Sequence, residues 1–71
     1  MSNIRYFVMP LDQGWSVRRG VRAIGVVAVE ADAERAAAEA AAIDRVRGHT
    51  VEVVKQDADG RWTPFVFHAS S

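Results

Sequence analysis

Three arginines, Arg18, Arg19 and Arg22, fall within five residues and make the chain's only local excess of one charge. Guanidinium forks match phosphate and carboxylate oxygens, and a β-sheet reader can dock in the DNA major groove. Tyr6, Phe7 or Trp15 would stack bases if exposed. The trio is therefore the candidate site for an acidic partner, nucleic acid included. A plainer reading competes with it. In that reading the arginines are a solvated hairpin paired with Glu30, Glu34 or Glu39. The plainer reading is favoured, because the formal net charge is zero and nucleic-acid binders usually carry a basic footprint.

Other residues capable of chemistry are sparse. His49 and His68 are the only imidazoles, and neither has a ligand-spaced neighbour. His49 follows Gly48 at an expected helix end, where partial positive charge is favoured. Gly20 and Gly25 stand at phosphate-loop spacing, but Val26-Val27 replaces the Lys-Ser/Thr that such a loop requires. Asp57 and Asp59 alternate as calcium ligands do, yet the remaining positions of a calcium loop are missing, so turn chemistry is the better account. Ser16 lacks a base and an elbow. There is no cysteine, which excludes disulfides and thiolate metal sites. No catalytic residue, metal or cofactor is implied, and a non-enzymatic protein is expected.

Seventy-one residues make one small α+β domain, 1–71, with a marginal core. The charge is uneven along the chain. Residues 1–29 hold four arginines against Asp12, a net of +3, and residues 30–71 hold the balancing −3. No secretory signal is expected. Ala23–Val29 is too short to cross a bilayer. A cytoplasmic protein without membrane contact is the resulting expectation.

The elements that must position these residues are legible from patterning. Ile4–Met9 is rich in β-branched and aromatic types and reads as a strand. Pro10 should end it or face its nitrogen to solvent. Leu11–Gly14 is a turn. In Trp15–Arg19, Trp15, Val17 and Arg19 point one way and Ser16 and Arg18 the other. Ala23–Val29 is a third strand. Asp32 is the expected N-cap of an alanine-rich helix over Ala33–Arg47, stopped by Gly48. Its packed face is expected to centre on Ala36, Ala40 and Ile43, flanked by Ala33, Ala37 and Val46. Thr50–Lys55 and Arg61–His68 are two further strands joined by the turn Asp57–Gly60. Pro64 argues that the last strand lies at an edge or a bulge.

The order β-β-β-α-β-β predicts a two-layer fold, an antiparallel sheet with the Ala-rich helix packed on one face. A half-exposed sheet should alternate polar and apolar residues, but Tyr6–Met9 and Val26–Val29 are apolar on both faces. Either the last hairpin or a second subunit should therefore cover the face away from the helix. Self-association as a homodimer is expected, with Tyr6, Phe7, Trp15, Trp62, Phe65 and Phe67 as candidate interface residues. A different protein partner is the other use of such a face.

This layout resembles the short bacterial proteins of the domain-of-unknown-function 2188 family. The residues that carry the likeness are Tyr6-Phe7-Val8-Met9-Pro10, Gly14-Trp15-Ser16-Val17, the basic segment Arg18–Arg22, the acid-opened helix Asp32–Arg47, and Thr50 to the Asp-Gly turn at Gly60. It spans about residues 4–61. The chain departs from the pattern after Gly60, where a long aromatic strand continues, and in a helix poor in large side chains. The resemblance implies the fold and a bacterial or phage origin, and carries over no catalytic residue.

Overall fold

The computed structural model describes residues 3–65. The strands are β1 (Asn3–Leu11), β2 (Gly14–Arg19), β3 (Arg22–Val27), β4 (Thr50–Gln56) and β5 (Trp62–Pro64), with helix α1 (Glu30–Val46) between β3 and β4. They form one five-stranded sheet in the order β3-β2-β1-β4-β5. The pairs β1–β2, β2–β3 and β4–β5 are antiparallel, as expected, whereas β1–β4 is parallel. The parallel pair follows from the connections. Two hairpins return β3 to the direction of β1, and a single helical crossover delivers β4 in that same direction.

The first hairpin closes through Asp12-Gln13, with Leu11 opposite Gly14. Gly14 is required by close approach: a Cβ there would lie 2.5 Å from the carbonyl oxygen of Val27. Pro10 does not end β1, which runs on to Leu11 opposite β2. It is tolerated because the ladder to β4 has already stopped at Val8 opposite Lys55, so no hydrogen bond is forfeited there. Between β2 and β3 the register shifts at Val17/Arg18.

The helix starts earlier than the sequence suggested. Val29 occupies the N-cap and its carbonyl accepts from Asp32 and Ala33 N–H groups, with no side-chain cap. Asp32 is therefore not the N-cap. It lies with Glu30 in the first turn, where acidic groups complement the dipole. The helix ends at Val46 with Arg47 as its C-cap, and Gly48 follows with a φ of 93° that suits a residue without Cβ.

The packed face also differs. Ala33, Ala37, Ala41 and Asp44 are the buried stripe, with Ala36 and Ala40 at its margin, while Ile43 is 54% and Val46 88% exposed. The expected centre at Ala36, Ala40 and Ile43 is thus corrected by roughly a quarter of a turn. The alanines let the helix lie close over Tyr6, Val8, Val17 and Val53, which with them form the core. The large side chains come from the sheet and the small ones from the helix.

β5 pairs in the plane of the sheet at its edge, with Pro64 opposite Val54. An edge is where a strand proline was expected. Its three described residues do not fold over the face away from the helix. The remainder of the expected strand, Val66 to His68, lies outside the described residues.

Candidate functional site

Strand alternation sends Tyr6 and Arg19, a cross-strand pair, to the helix side of the sheet, where Asp44 descends from the last turns of α1. The Tyr6 hydroxyl donates to Asp44 Oδ2. Arg19 donates from Nε to Oδ2 at 2.9 Å and from Nη2 to Oδ1 at 3.2 Å. Asp44 is 3% and Tyr6 1% exposed. The Arg19 guanidinium, then the Tyr6 hydroxyl, hold the Asp44 carboxyl down to about 2, against the opposing effect of burial. Arg19 is pushed up, chiefly by that same hydrogen bond. Tyr6 is raised above its ordinary 10, first by burial and then by the carboxylate it faces. The three side chains bind one another and pin the helix to the first hairpin. The Asp44 carboxylate and the Tyr6 hydroxyl are buried, while the Arg19 side chain stays 41% exposed.

The arginine trio is consequently not one site. Arg19 is committed to Asp44 on the helix side. Arg18 alternates to the other face and donates from Nη2 to the Val21 carbonyl at 2.8 Å. Arg22 stands opposite Arg19 on β3 and is exposed. The pairing partner expected among Glu30, Glu34 or Glu39 is in fact Asp44.

Glu30 and Glu34 have a different partner. Lys55, near the end of β4, places its ammonium 2.5 Å from Glu30 Oε2 and 2.5 Å from Glu34 Oε2. The same ammonium lies 5.9 Å from the Trp15 ring centre and 5.6 Å from that of Phe65, within cation–π range. These two carboxylates push the Lys55 ammonium up. Neither Asp44 nor Lys55 was singled out from the sequence. The available signal for Asp44 was a carboxylate in register with Ala33, Ala37 and Ala41 on one helical stripe.

The candidate interface residues separate into two sets. Tyr6 is in the core, and Trp15 and Phe65 pack against it from the helix side, so these three do not form an outward face. Phe7 and Trp62 lie on the other face, in an edge-to-face contact with centres 5.4 Å apart and planes at 82°. Met9 follows Phe7 by alternation on β1, and Val54 stands beside Phe7 in register. Val26, opposite Ser16, is 67% exposed and Trp62 43%. Phe67 lies outside the described residues.

The Asp57 carboxylate accepts the N–H groups of Asp59 and Arg61, each at 2.9 Å. That is the turn chemistry expected of it. His49 donates its main-chain N–H to the Asp44 carbonyl at 3.1 Å, and its ring Nδ1 is buried without a hydrogen-bond partner. His68 lies outside the described residues. Among the described residues no group of three His, Asp or Glu side chains is placed to hold a metal ion. An open groove lies beside the start of β1 and β4, lined by Asn3, Ile4, Arg5, Thr50 and Glu52. Arg5 and Glu52 pair across it at 2.8 Å. No helix among the described residues is long and apolar enough to cross a membrane.

The architecture is that of a small two-layer α+β protein, its helix tied to the sheet by two ion-pair networks. The family model described as "Uncharacterized protein conserved in bacteria (DUF2188)" matches residues 6–64. The chain belongs to that family. Neither the curated proteins nor the solved structures contain a match to it.

Proposed function

We propose that the protein is a non-enzymatic interaction module that works as a homo-oligomer through the sheet face opposite α1. The observation that carries this reading is the placement of Phe7, Met9, Val54 and Trp62 on a face that β5 extends rather than covers. Phe7, Met9 and Val54 are half-buried there, while Trp62 and Val26 are exposed, and contiguous apolar surface with exposed members marks interaction sites. An exposed tryptophan, Trp62 on the edge strand β5, suits an anchor.

The size of the face sets the expected strength. Five strands about 4.8 Å apart and roughly 20 Å long form a plane of about 500 Å². That is below the roughly 800 Å² per partner of a standard interface, so a weak, micromolar dimer is expected. Sedimentation equilibrium from roughly 1 to 200 μM brackets such a dissociation constant. The expected result is a monomer–dimer equilibrium, abolished by V26K/W62A. A monomer throughout that range refutes the reading.

A further inference from the structure

We propose that the end of the molecule holding Arg18, Arg22, Arg45 and Arg47 is a binding site for the phosphate backbone of a nucleic acid. The ladder brings these residues together. Arg19 pairs with Arg22 and with Tyr6, Gly20 N–H reaches the Arg5 carbonyl, and Arg5 stands opposite Glu52 near the start of β4. The helix finishes at this same end, where Asp44 meets Arg19 and Arg45 Nη2 reaches the Val51 carbonyl at 3.5 Å. Six arginines, at 5, 18, 19, 22, 45 and 47, therefore share one pole with two carboxylates, Asp44 and Glu52, for a net of +4. Both carboxylates are already paired, with Arg19 and Arg5. The other four arginines make no ion pair among the described residues.

The opposite pole carries the compensating −4. The first hairpin tip, the helix start and the β4–β5 turn place Asp12, Glu30, Asp32, Glu34, Asp57 and Asp59 there, against Lys55 and Arg61. The 17-residue helix separates the poles by about 25 Å. Screening at physiological salt acts over about 8 Å, so a ligand at one pole does not feel the other. Net neutrality is therefore no obstacle to anion binding.

Two features favour an external polyanion over the acidic pole of a second copy. Glu30 and Glu34 are bound to Lys55, and the Asp57 carboxylate closes its own turn, so only the carboxylates of Asp12, Asp32 and Asp59 at the acidic pole remain without a partner among the described residues. The guanidiniums without an ion pair are also spread over both layers of this end: Arg22 on β3 beside Arg19, Arg18 on the sheet face away from the helix, and Arg45 and Arg47 at the end of the helix. Those layers are roughly 10 Å apart, a span that one phosphate does not bridge and a chain of phosphates does. This inference uses none of the apolar face, so it stands or falls separately from the homodimer.

The test is fluorescence anisotropy with a labelled DNA duplex of about two helical turns and with its single strand, at NaCl from roughly 20 to 200 mM. Neutralising four duplex phosphates gives a log–log salt slope of about −3.6, and the dissociation constant rises about 50-fold between 50 and 150 mM. Neither the Arg22 nor the Arg47 side chain makes a hydrogen bond or ion pair among the described residues, so R22A/R47A should melt as the parent does. Its slope should fall to about −1.8, whereas R35A, between the poles, leaves the slope unchanged. R22A and R47A alone should each lower it by about 0.9. No binding at the lowest salt, or an unchanged slope in R22A/R47A, overturns the proposal. So does capture by phosphatidylserine vesicles without nucleic-acid binding. Self-association that grows as salt falls, again without nucleic-acid binding, overturns it in favour of head-to-tail assembly.

Discussion

Tyr6→Phe removes a single hydroxyl and leaves the ring in its place in the core. The lost interaction is one charge-assisted hydrogen bond to Asp44. Such bonds contribute about 1.5–3 kcal/mol. The low end applies here, because Asp44 keeps both hydrogen bonds from Arg19 and no carboxylate oxygen is left bare. A protein of this length has roughly 4–11 kcal/mol of total stability, so a loss of about 1.5 kcal/mol is substantial. The melting temperature should fall by roughly 6–12 °C. Urea unfolding followed by tryptophan fluorescence at pH 7 measures the loss directly. The pH dependence supplies a second reading. Asp44 titrates at about 2 in the folded protein against an ordinary 3.8, so its folded form is the more acidic. The stability linked to it is complete above about pH 4 and disappears as the pH falls through 2. In Y6F one of the two hydrogen-bonding partners that lower this pKa is gone, so the acid limb of the stability curve should become shallower. A Y6F protein within about 0.5 kcal/mol of the parent, with an unchanged acid limb, would refute the role assigned to the hydroxyl.

Gly14→Ala should cost about 1–3 kcal/mol, because its Cβ meets the Val27 backbone at 2.5 Å. Gly25→Ala, where nothing lies within 4 Å, should be neutral or stabilise by up to about 1 kcal/mol; matched urea curves distinguish the two. Ala37→Leu should lose about 1–3 kcal/mol by overpacking a fully buried site. Ile43→Gln should stay within about 0.5 kcal/mol, and the opposite order would restore the helix face expected from the sequence. Lys55→Met should lower the melting temperature more at low than at high ionic strength, since it leaves Glu30 and Glu34 facing each other at the helix start. Equal losses at both salts would mean that the ion pairs contribute nothing measurable.

Elements whose local chemistry was strong were legible. The alternation of Trp15, Val17 and Arg19, the stop at Gly48 and the Asp57 turn all survive in the structure. The phase of the helix was not legible, for a physical reason. A helix that is alanine on nearly every side carries little hydrophobic periodicity, and its only large apolar residues, Ile43 and Val46, bias the reading toward a face that is exposed. The true phase is set by two tertiary conditions: side chains small enough to lie over Tyr6 and Val8, and a carboxylate able to meet Arg19. The N-cap was misread for a related reason. Asp32 has the right side chain for a cap, but the chain leaving β3 is already helical at Glu30.

Charge shows most clearly how three dimensions revise a linear pattern. Along the chain the two halves carry +3 and −3, which suggests mutual neutralisation. Folding redistributes the members. Arg45 and Arg47 belong to the acidic half in sequence yet finish beside the first hairpin, because the helix runs antiparallel to the strands that flank it. Asp12 belongs to the basic half yet sits at the acidic pole, because it tips the hairpin. Arg19, central to the linear cluster, is withdrawn by Asp44. The poles that result are stronger than the halves were, and each complements the end of the helix dipole it surrounds: carboxylates at its N-terminus, guanidiniums at its C-terminus. Dipole complementation alone would be met by Arg45 and Arg47, whose helical turn it concerns. It gives no reason for Arg18 and Arg22 to be held at the same end without carboxylate partners, while Arg5 and Arg19 beside them are paired. Arginines without ion pairs on the sheet, Arg22 beside Arg19 and Arg18 on the far face, together with Arg45 and Arg47 on the helix, are what an anion wrapping this end of both layers requires.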